Sequence, residues 1–322
     1  MRIARVARSS FTSTILFVAL VLLFLAAPAW ATFPGTNGRI AFVANRGAAS
    51  WQLYTMNPDG SDIVQITNQP PTFWDSWFPE FSPDGQKIVF CHDTLESFGN
   101  PDLYVVNADG TGLTRLTFDG GDCAAHWSPD GTRLVFARTL PNGKGVIATM
   151  NADGTGKKTS LTFDVWVKFW PIYTPDGKQI VFFSTKGGLI SAVWIMDADG
   201  SHKRQLTAPA FEGFAFDVSP DGQHIAVIDH QNTPRPTAIL QIDPDGKHLK
   251  QLTRPGSAHD EDPAYSPDGT KIVFASDRGG AVGAMDIYIM NPDGSDVQRI
   301  TTGLTVACPD LNCVTPTWGA KP

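Results

Sequence analysis

The chain has 322 residues and a formal charge of −7, with 18% charged and 42% hydrophobic residues. That acidity argues against binding nucleic acid by neutralising phosphates and against docking on anionic membranes. The apolar share is ample for a core. At the N-terminus, Arg2, Arg5 and Arg8 precede an apolar stretch from Ile15 to Ala27, followed by Ala29-Trp30-Ala31. A basic region, a short apolar run and a small-x-small site have the layout of a secretory signal peptide cleaved after Ala31. The apolar run falls short of the ~20 residues a spanning helix takes. Residues 1–31 are therefore read as a signal peptide rather than a retained anchor, with no membrane insertion after cleavage. The remaining chain, 32–322, is read as one secreted or periplasmic domain. It has lost three arginines and no acid, so its charge moves from −7 to −10.

Two interleaved repeats run through that domain. The first is Ser-Pro-Asp-Gly at 82–85, 128–131, 219–222 and 266–269, with Thr-Pro-Asp-Gly at 174–177 and a partial copy at Asn37-Gly38. Each leads into a β-forming run such as Lys87-Ile-Val-Phe90, Arg133-Leu-Val-Phe136 or Lys271-Ile-Val-Phe274. The glycines at 38, 85, 131, 177, 222 and 269 are spaced by 45 to 47 residues. The second series ends in Asp-Gly at 59–60, 109–110, 153–154, 199–200, 245–246 and 293–294, each followed by a short run ending in Thr. Asp-Gly between two β-forming runs is a strong hairpin signal. Each period thus holds four short strands, which in the fifth are 262–265, 271–276, 286–290 and 297–300. A four-stranded unit repeated six times predicts an all-β, six-bladed propeller. The N-terminal copy lacks an inner strand, and Thr315-Pro-Thr-Trp318 matches the inner strands Phe78-Pro-Glu-Phe81 and Asp262-Pro-Ala-Tyr265. Pairing 315–318 with the N-terminal blade, 39–67, would close the ring.

At Trp127-Ser-Pro-Asp-Gly-Thr-Arg-Leu-Val-Phe136 and Tyr265-Ser-Pro-Asp-Gly-Thr-Lys-Ile-Val-Phe274 the chain resembles the TolB-type propellers. The resemblance covers nearly the whole of 32–322 and implies the propeller fold and an envelope-binding role. The α/β domain that TolB carries ahead of its propeller is expected to be missing. The repeat also resembles the propeller half of prolyl-oligopeptidase-type enzymes and of oligogalacturonate lyases.

An even cysteine count in an exported chain favours disulfides. Cys308 and Cys313 are close enough to staple one loop, which leaves Cys91 and Cys123 as the second pair; both lie on the loop face, and the pairing stays open in the sequence. Strand alternation puts both Asp-Gly series on one face and the variable loops on the other, where sites usually lie. Trp74, Trp77, Trp166 and Trp170 fall in these loops and are candidate apolar anchors for a protein or a sugar ring. His259, Asp260, Glu261 and Asp262 form a candidate polar rim or ion site at the channel mouth. Such a set could hold a divalent cation such as Ca²⁺, and the plain alternative is a solvated acidic loop. Otherwise no cofactor is expected. No nucleophile elbow, zinc-binding helix motif or phosphate loop is present. The expected function is non-catalytic binding, as a monomer, of an envelope or extracellular protein or a glycan. A lyase of the oligogalacturonate type, drawing on His92, His230, His259 and nearby Lys168, Lys186 or Arg278, is the enzymatic alternative.

Overall fold

The computed structural model describes residues 34–46, 51–68, 76–93, 99–164, 167–185, 192–208, 216–229, 237–254, 256, 258–280, 284–304 and 314–322. The first blade begins with β1 (Asn37–Ala44), β2 (Gln52–Met56) and β3 (Val64–Gln65). The second holds β4 (Ser76–Phe81), β5 (Lys87–His92), β6 (Asp102–Asn107) and β7 (Thr114–Arg115), and the third β8 (Asp122–Trp127), β9 (Arg133–Thr139), β10 (Gly145–Asn151) and β11 (Thr159–Ser160). In the fourth are β12 (Lys168–Tyr173), β13 (Gln179–Ser184), β14 (Ala192–Asp197) and β15 (Arg204–Gln205). The fifth has β16 (Phe216–Val218), β17 (Ile225–Asp229), β18 (Ala238–Ile242) and β19 (Lys250–Gln251). The sixth has β20 (Asp260–Tyr265), β21 (Ile272–Ser276), β22 (Asp286–Met290) and β23 (Gln298–Arg299), and β24 (Thr317–Ala320) ends the chain.

Each blade is a four-stranded antiparallel meander, and β24 completes the first in the order β24-β1-β2-β3. Ile40 faces Trp318 and Ala41 faces Thr317 in that closing pair. The expected closure is therefore present, with its ladder at 317–320 rather than 315–318. The first and last parts of the described chain share one sheet, so no blade is left open.

The core explains why the middle strands lack polar alternation. Six apolar clusters fill the structure, each drawn from two neighbouring blades. One joins Val181, Phe183 and Ile195 of the fourth blade to Val218, Val227 and Leu240 of the fifth. Another joins Val273 and Ile287 of the sixth to Ile40 and Trp318 of the first. A strand covered on both faces reads as a continuous apolar run.

The repeated polar residues do repeated work. In the Ser-Pro-Asp-Gly turn at 128–131, Ser128 Oγ donates to Asp130 Oδ1 at 2.5 Å and accepts from the backbone N–H of Arg133 at 2.9 Å. The same arrangement recurs at Ser82, Ser219 and Ser266. The threonine after each outer strand accepts from an N–H near the start of the strand beside it: Thr67 from Leu53, Thr117 from Leu103, Thr162 from Ile147. Thr207, Thr253 and Thr301 repeat this with Val193, Ile239 and Ile287. Each bond satisfies a buried donor that the short outer strand leaves unpaired.

Candidate functional site

The inner strands β4, β8, β12, β16, β20 and β24 surround an axial channel. Its opening on the Asp-Gly turn face is a funnel of about 1090 Å³ walled by Pro83, Pro129, Pro175, Pro220 and Pro267. Below Tyr265, which lines both spaces, the channel narrows to a waist of about 90 Å³.

A repeated irregularity shapes the waist. Four inner strands carry a bulge, at Phe78-Pro79, Ala124-Ala125, Trp170-Pro171 and Asp262-Pro263, where two residues oppose one. Proline suits a bulge because no ladder donor is needed there. The first residue of each bulge has positive φ: Phe78 52°, Ala124 49°, Trp170 47° and Asp262 50°. Such conformations are costly for these residues and persist only where the surroundings hold them. Phe78, Ala124, Trp170 and Asp262, with Thr315 just before β24, occupy equivalent positions in the repeat and line the waist. Phe78 and Trp170 belong to blades separated by the third, yet their rings meet edge-on at 5.0 Å. The small Ala124 between them leaves room for that contact.

One level further along, Glu80, His126, Asp217 and Thr317 form a polar layer. Glu80 accepts from Thr317 Oγ1 at 2.9 Å, and burial with the nearby Asp217 carboxyl pushes its pKa well up. Asp217 accepts from the N–H groups of Val218 and Tyr265. Burial drives His126 down to about 4, so the imidazole is neutral at pH 7.

The acidic segment 259–262 is not a solvated loop. Asp260, Glu261 and Asp262 are buried at the start of β20. His259 Nδ1 lies 3.1 Å from Asp277 Oδ2, and Asp260 binds the Arg278 guanidinium at 2.5 Å and the Ser276 hydroxyl at 2.7 Å. Glu261 accepts from Thr237 at 3.2 Å, and burial, reinforced by the Asp262 carboxyl, pushes it up to about 9. Asp262 differs from its neighbours. It is 6% exposed, and its Oδ2 has no hydrogen-bond partner among the described residues. Burial raises its pKa to about 8. Thr315 Oγ1, from the adjacent blade, is likewise buried and unpartnered. Among the described residues no group of three or more His, Cys, Asp or Glu side chains is arranged to hold a metal ion.

The other sequence candidates are dispersed. Trp77 is half-buried beside Cys91 in the ladder, while Trp74, Trp166, His230, Lys186, Cys308 and Cys313 lie outside the described residues. Cys91 and Cys123 are joined, with 5.1 Å between their Cα atoms, and staple the second blade to the third. His92 pairs with Ser76 in the second blade, and buried Lys168 pairs with Asp164 in the fourth. Among the described residues, the large aromatics most exposed on the loop face are Phe118, at 70%, and Phe163, at 80%. They sit in the repeated Leu-Thr-Phe-Asp segments 116–119 and 161–164 of neighbouring blades. Lys158 of the third blade bonds Asp119 and Asp122 and so ties these two regions together. The repeated tetrapeptide was the available signal, since other blades carry Asn68, Ala208, Arg254 or Thr302 in place of Phe.

Comparison with known proteins agrees with the architecture. The TolB beta propeller domain family model matches residues 12–215, 117–260 and 210–318. The TolB homolog of Chlorobaculum tepidum is 33% identical over 117 residues, covering 36% of this chain and 25% of that protein. The Tol-Pal system protein TolB of Alcanivorax borkumensis is 33% identical over 109 residues, covering 32% of this chain and 24% of that protein. The matched stretch thus spans about a quarter of either relative. The TolB structure from Acinetobacter baumannii superposes with a TM-score of 0.70 at 24% identity, over 88% of this chain and 67% of that one. Matched along most of its length by that family model, the chain belongs to the TolB beta propeller domain family.

Proposed function

We propose that this chain is an exported, non-catalytic propeller that binds a protein partner, or a glycan, at the cell envelope through its loop face. The observation that carries this reading is the pair Phe118 and Phe163, held exposed on neighbouring blades. A large apolar side chain in water gains about 2 kcal/mol when a partner covers it, and aromatics anchor binding surfaces well. Arg115, whose guanidinium lies 4.9 Å from the centre of the Phe118 ring, and the Asp119, Arg138 and Lys158 cluster give this patch a charged rim. The name Tol-Pal system protein, carried by one relative, supports a partner that is itself a protein. The N-terminal signal-like segment supports export to the periplasm or beyond.

The test is affinity capture from solubilised envelope and culture medium of the host, using the chain as exported. Specific proteins should be recovered by the wild type and lost with a Phe118→Ser, Phe163→Ser double variant of unchanged stability. Identical recovery by that variant overturns the loop-face assignment. Depolymerisation of a polysaccharide by the pure protein overturns the non-catalytic reading.

A further inference from the structure

Of the carboxylates that line the waist among the described residues, Glu80, Asp217 and Asp262, Asp262 is the one with a buried oxygen left over. Glu80 and Asp217 each accept at least one hydrogen bond. Asp262 Oδ2 and Thr315 Oγ1 accept none among the described residues, and both line the same waist of about 90 Å³. They come from adjacent blades and equivalent positions in the repeat. The strained backbone at Asp262, with φ 50°, keeps this carboxyl at the channel wall. A buried polar atom without a partner is rare enough to require a cause, and a buried carboxylate is costly unless something pairs with it. Across the waist stand Ala124 and the two rings of Phe78 and Trp170.

We propose that this ring of Phe78, Ala124, Trp170, Asp262 and Thr315 is a receptor site for one primary alkylammonium group, such as the end of a lysine side chain. The site deepens the partner-binding reading by naming a chemical group the partner presents. An ammonium carries three N–H donors and no acceptor, which matches two orphaned oxygens. Aromatic walls attract the cation through their π faces and cover the methylene stem behind it. The waist has the volume of on the order of three water molecules, enough for an ammonium head and its first methylenes. A calcium ion takes about six to eight oxygen ligands, whereas this wall supplies one carboxylate and one hydroxyl.

The test titrates the exported chain with n-butylammonium chloride and with n-butanol by calorimetry at pH 8. The ammonium should bind saturably and the alcohol about tenfold more weakly or not at all. Asp262→Asn should lower ammonium affinity about tenfold or more. Trp170→Leu should lower it several-fold. Asn tolerates the left-handed backbone conformation, so Asp262→Asn should keep the fold, as circular dichroism would verify. Equal binding of alcohol and ammonium, or unchanged binding by Asp262→Asn, overturns the proposal. So does calcium chloride binding there while n-butylammonium is silent. N-acetyl-lysinamide and putrescine then separate a peptide-borne ammonium from a free diamine, and binding of either supports the site. The Phe118→Ser, Phe163→Ser variant should bind n-butylammonium normally, so this site and the loop-face reading fail separately.

Discussion

The Asp-Gly turn face and the channel waist are built from the same six repeats, yet they treat their polar groups in opposite ways. On the turn face, hydroxyls of Ser61, Thr111, Thr155 and Ser295 donate to Asp59, Asp109, Asp153 and Asp293, and the Ser201 N–H donates to Asp199. Those bonds hold the five carboxyls below the usual range. At the waist, equivalent positions hold Phe78, Ala124, Trp170, Asp262 and Thr315, and the one carboxyl among them is raised by burial. Where six blades agree, the residues serve the fold. Where equivalent positions diverge and a polar atom is left unsatisfied, the molecule has kept something for a ligand.

The sharpest way to break that comparison is through pH. The folded pKa of Asp262, about 8, lies above its ordinary 3.8. Its neutral form favours folding fully below the ordinary value, and that contribution is lost as pH rises towards 8. Asp262→Asn removes the titration, so its stability relative to wild type should climb between pH 4 and 8, by on the order of several kcal/mol. Glu80, His126, Asp217 and Tyr265 are common to both proteins and cancel in the difference, whereas Glu261, whose pKa the Asp262 carboxyl helps to raise, is relieved in the variant and adds to the climb. A constant difference across that window would mean that Asp262 is not buried as a neutral acid. On the acid side, His126 should cost stability as pH falls from 6.5 towards 4, because the unfolded chain takes up the proton first.

Reducing the Cys91–Cys123 bond, which closes a separation of 32 residues, should cost about 3–4 kcal/mol, read from urea midpoints with and without dithiothreitol. Turn-face packing should be nearly as sensitive. Gly246 has φ +84°, and a Cβ there would meet the Leu206 carbonyl oxygen of the previous blade at 2.4 Å. Gly246→Ala should cost about 2–3 kcal/mol. At Gly143, with φ +76° and nothing within 4 Å, the same change should cost only about 1 kcal/mol from backbone strain. Equal losses at both would show that blade contacts do not matter at that turn. The smallest expected effect is Thr162→Val, which strips the acceptor from the Ile147 N–H, at about 1–2 kcal/mol by urea unfolding.

Much of this was legible in the residues. The 45–47 spacing, the Asp-Gly turns and the resemblance of 315–318 to other inner strands led to six blades and a closed ring. Those signals are local, because turn chemistry and apolar runs act within one blade. The Cys91–Cys123 pairing was left open in the sequence, which brought the two residues only to one face, and the structure decides it. The site was legible only in part. Asp262 was singled out, but within a segment expected to be a rim or solvated loop, whereas Arg278 and Asp277 take up Asp260 and His259 inside the sixth blade. Trp170 was read as an exposed anchor, yet its ring lies against Phe78 two blades away.

By itself, then, the sequence determined the class, the number of blades and their polar turns, because each repeat carries its own short-range instructions. Only the tertiary structure decided which side chains meet at the axis and which oxygen there goes without a partner. That choice depends on six separate strands converging on one line. It is settled by the space Ala124 leaves, the bulges at Phe78, Trp170 and Asp262, and the burial that ring closure imposes.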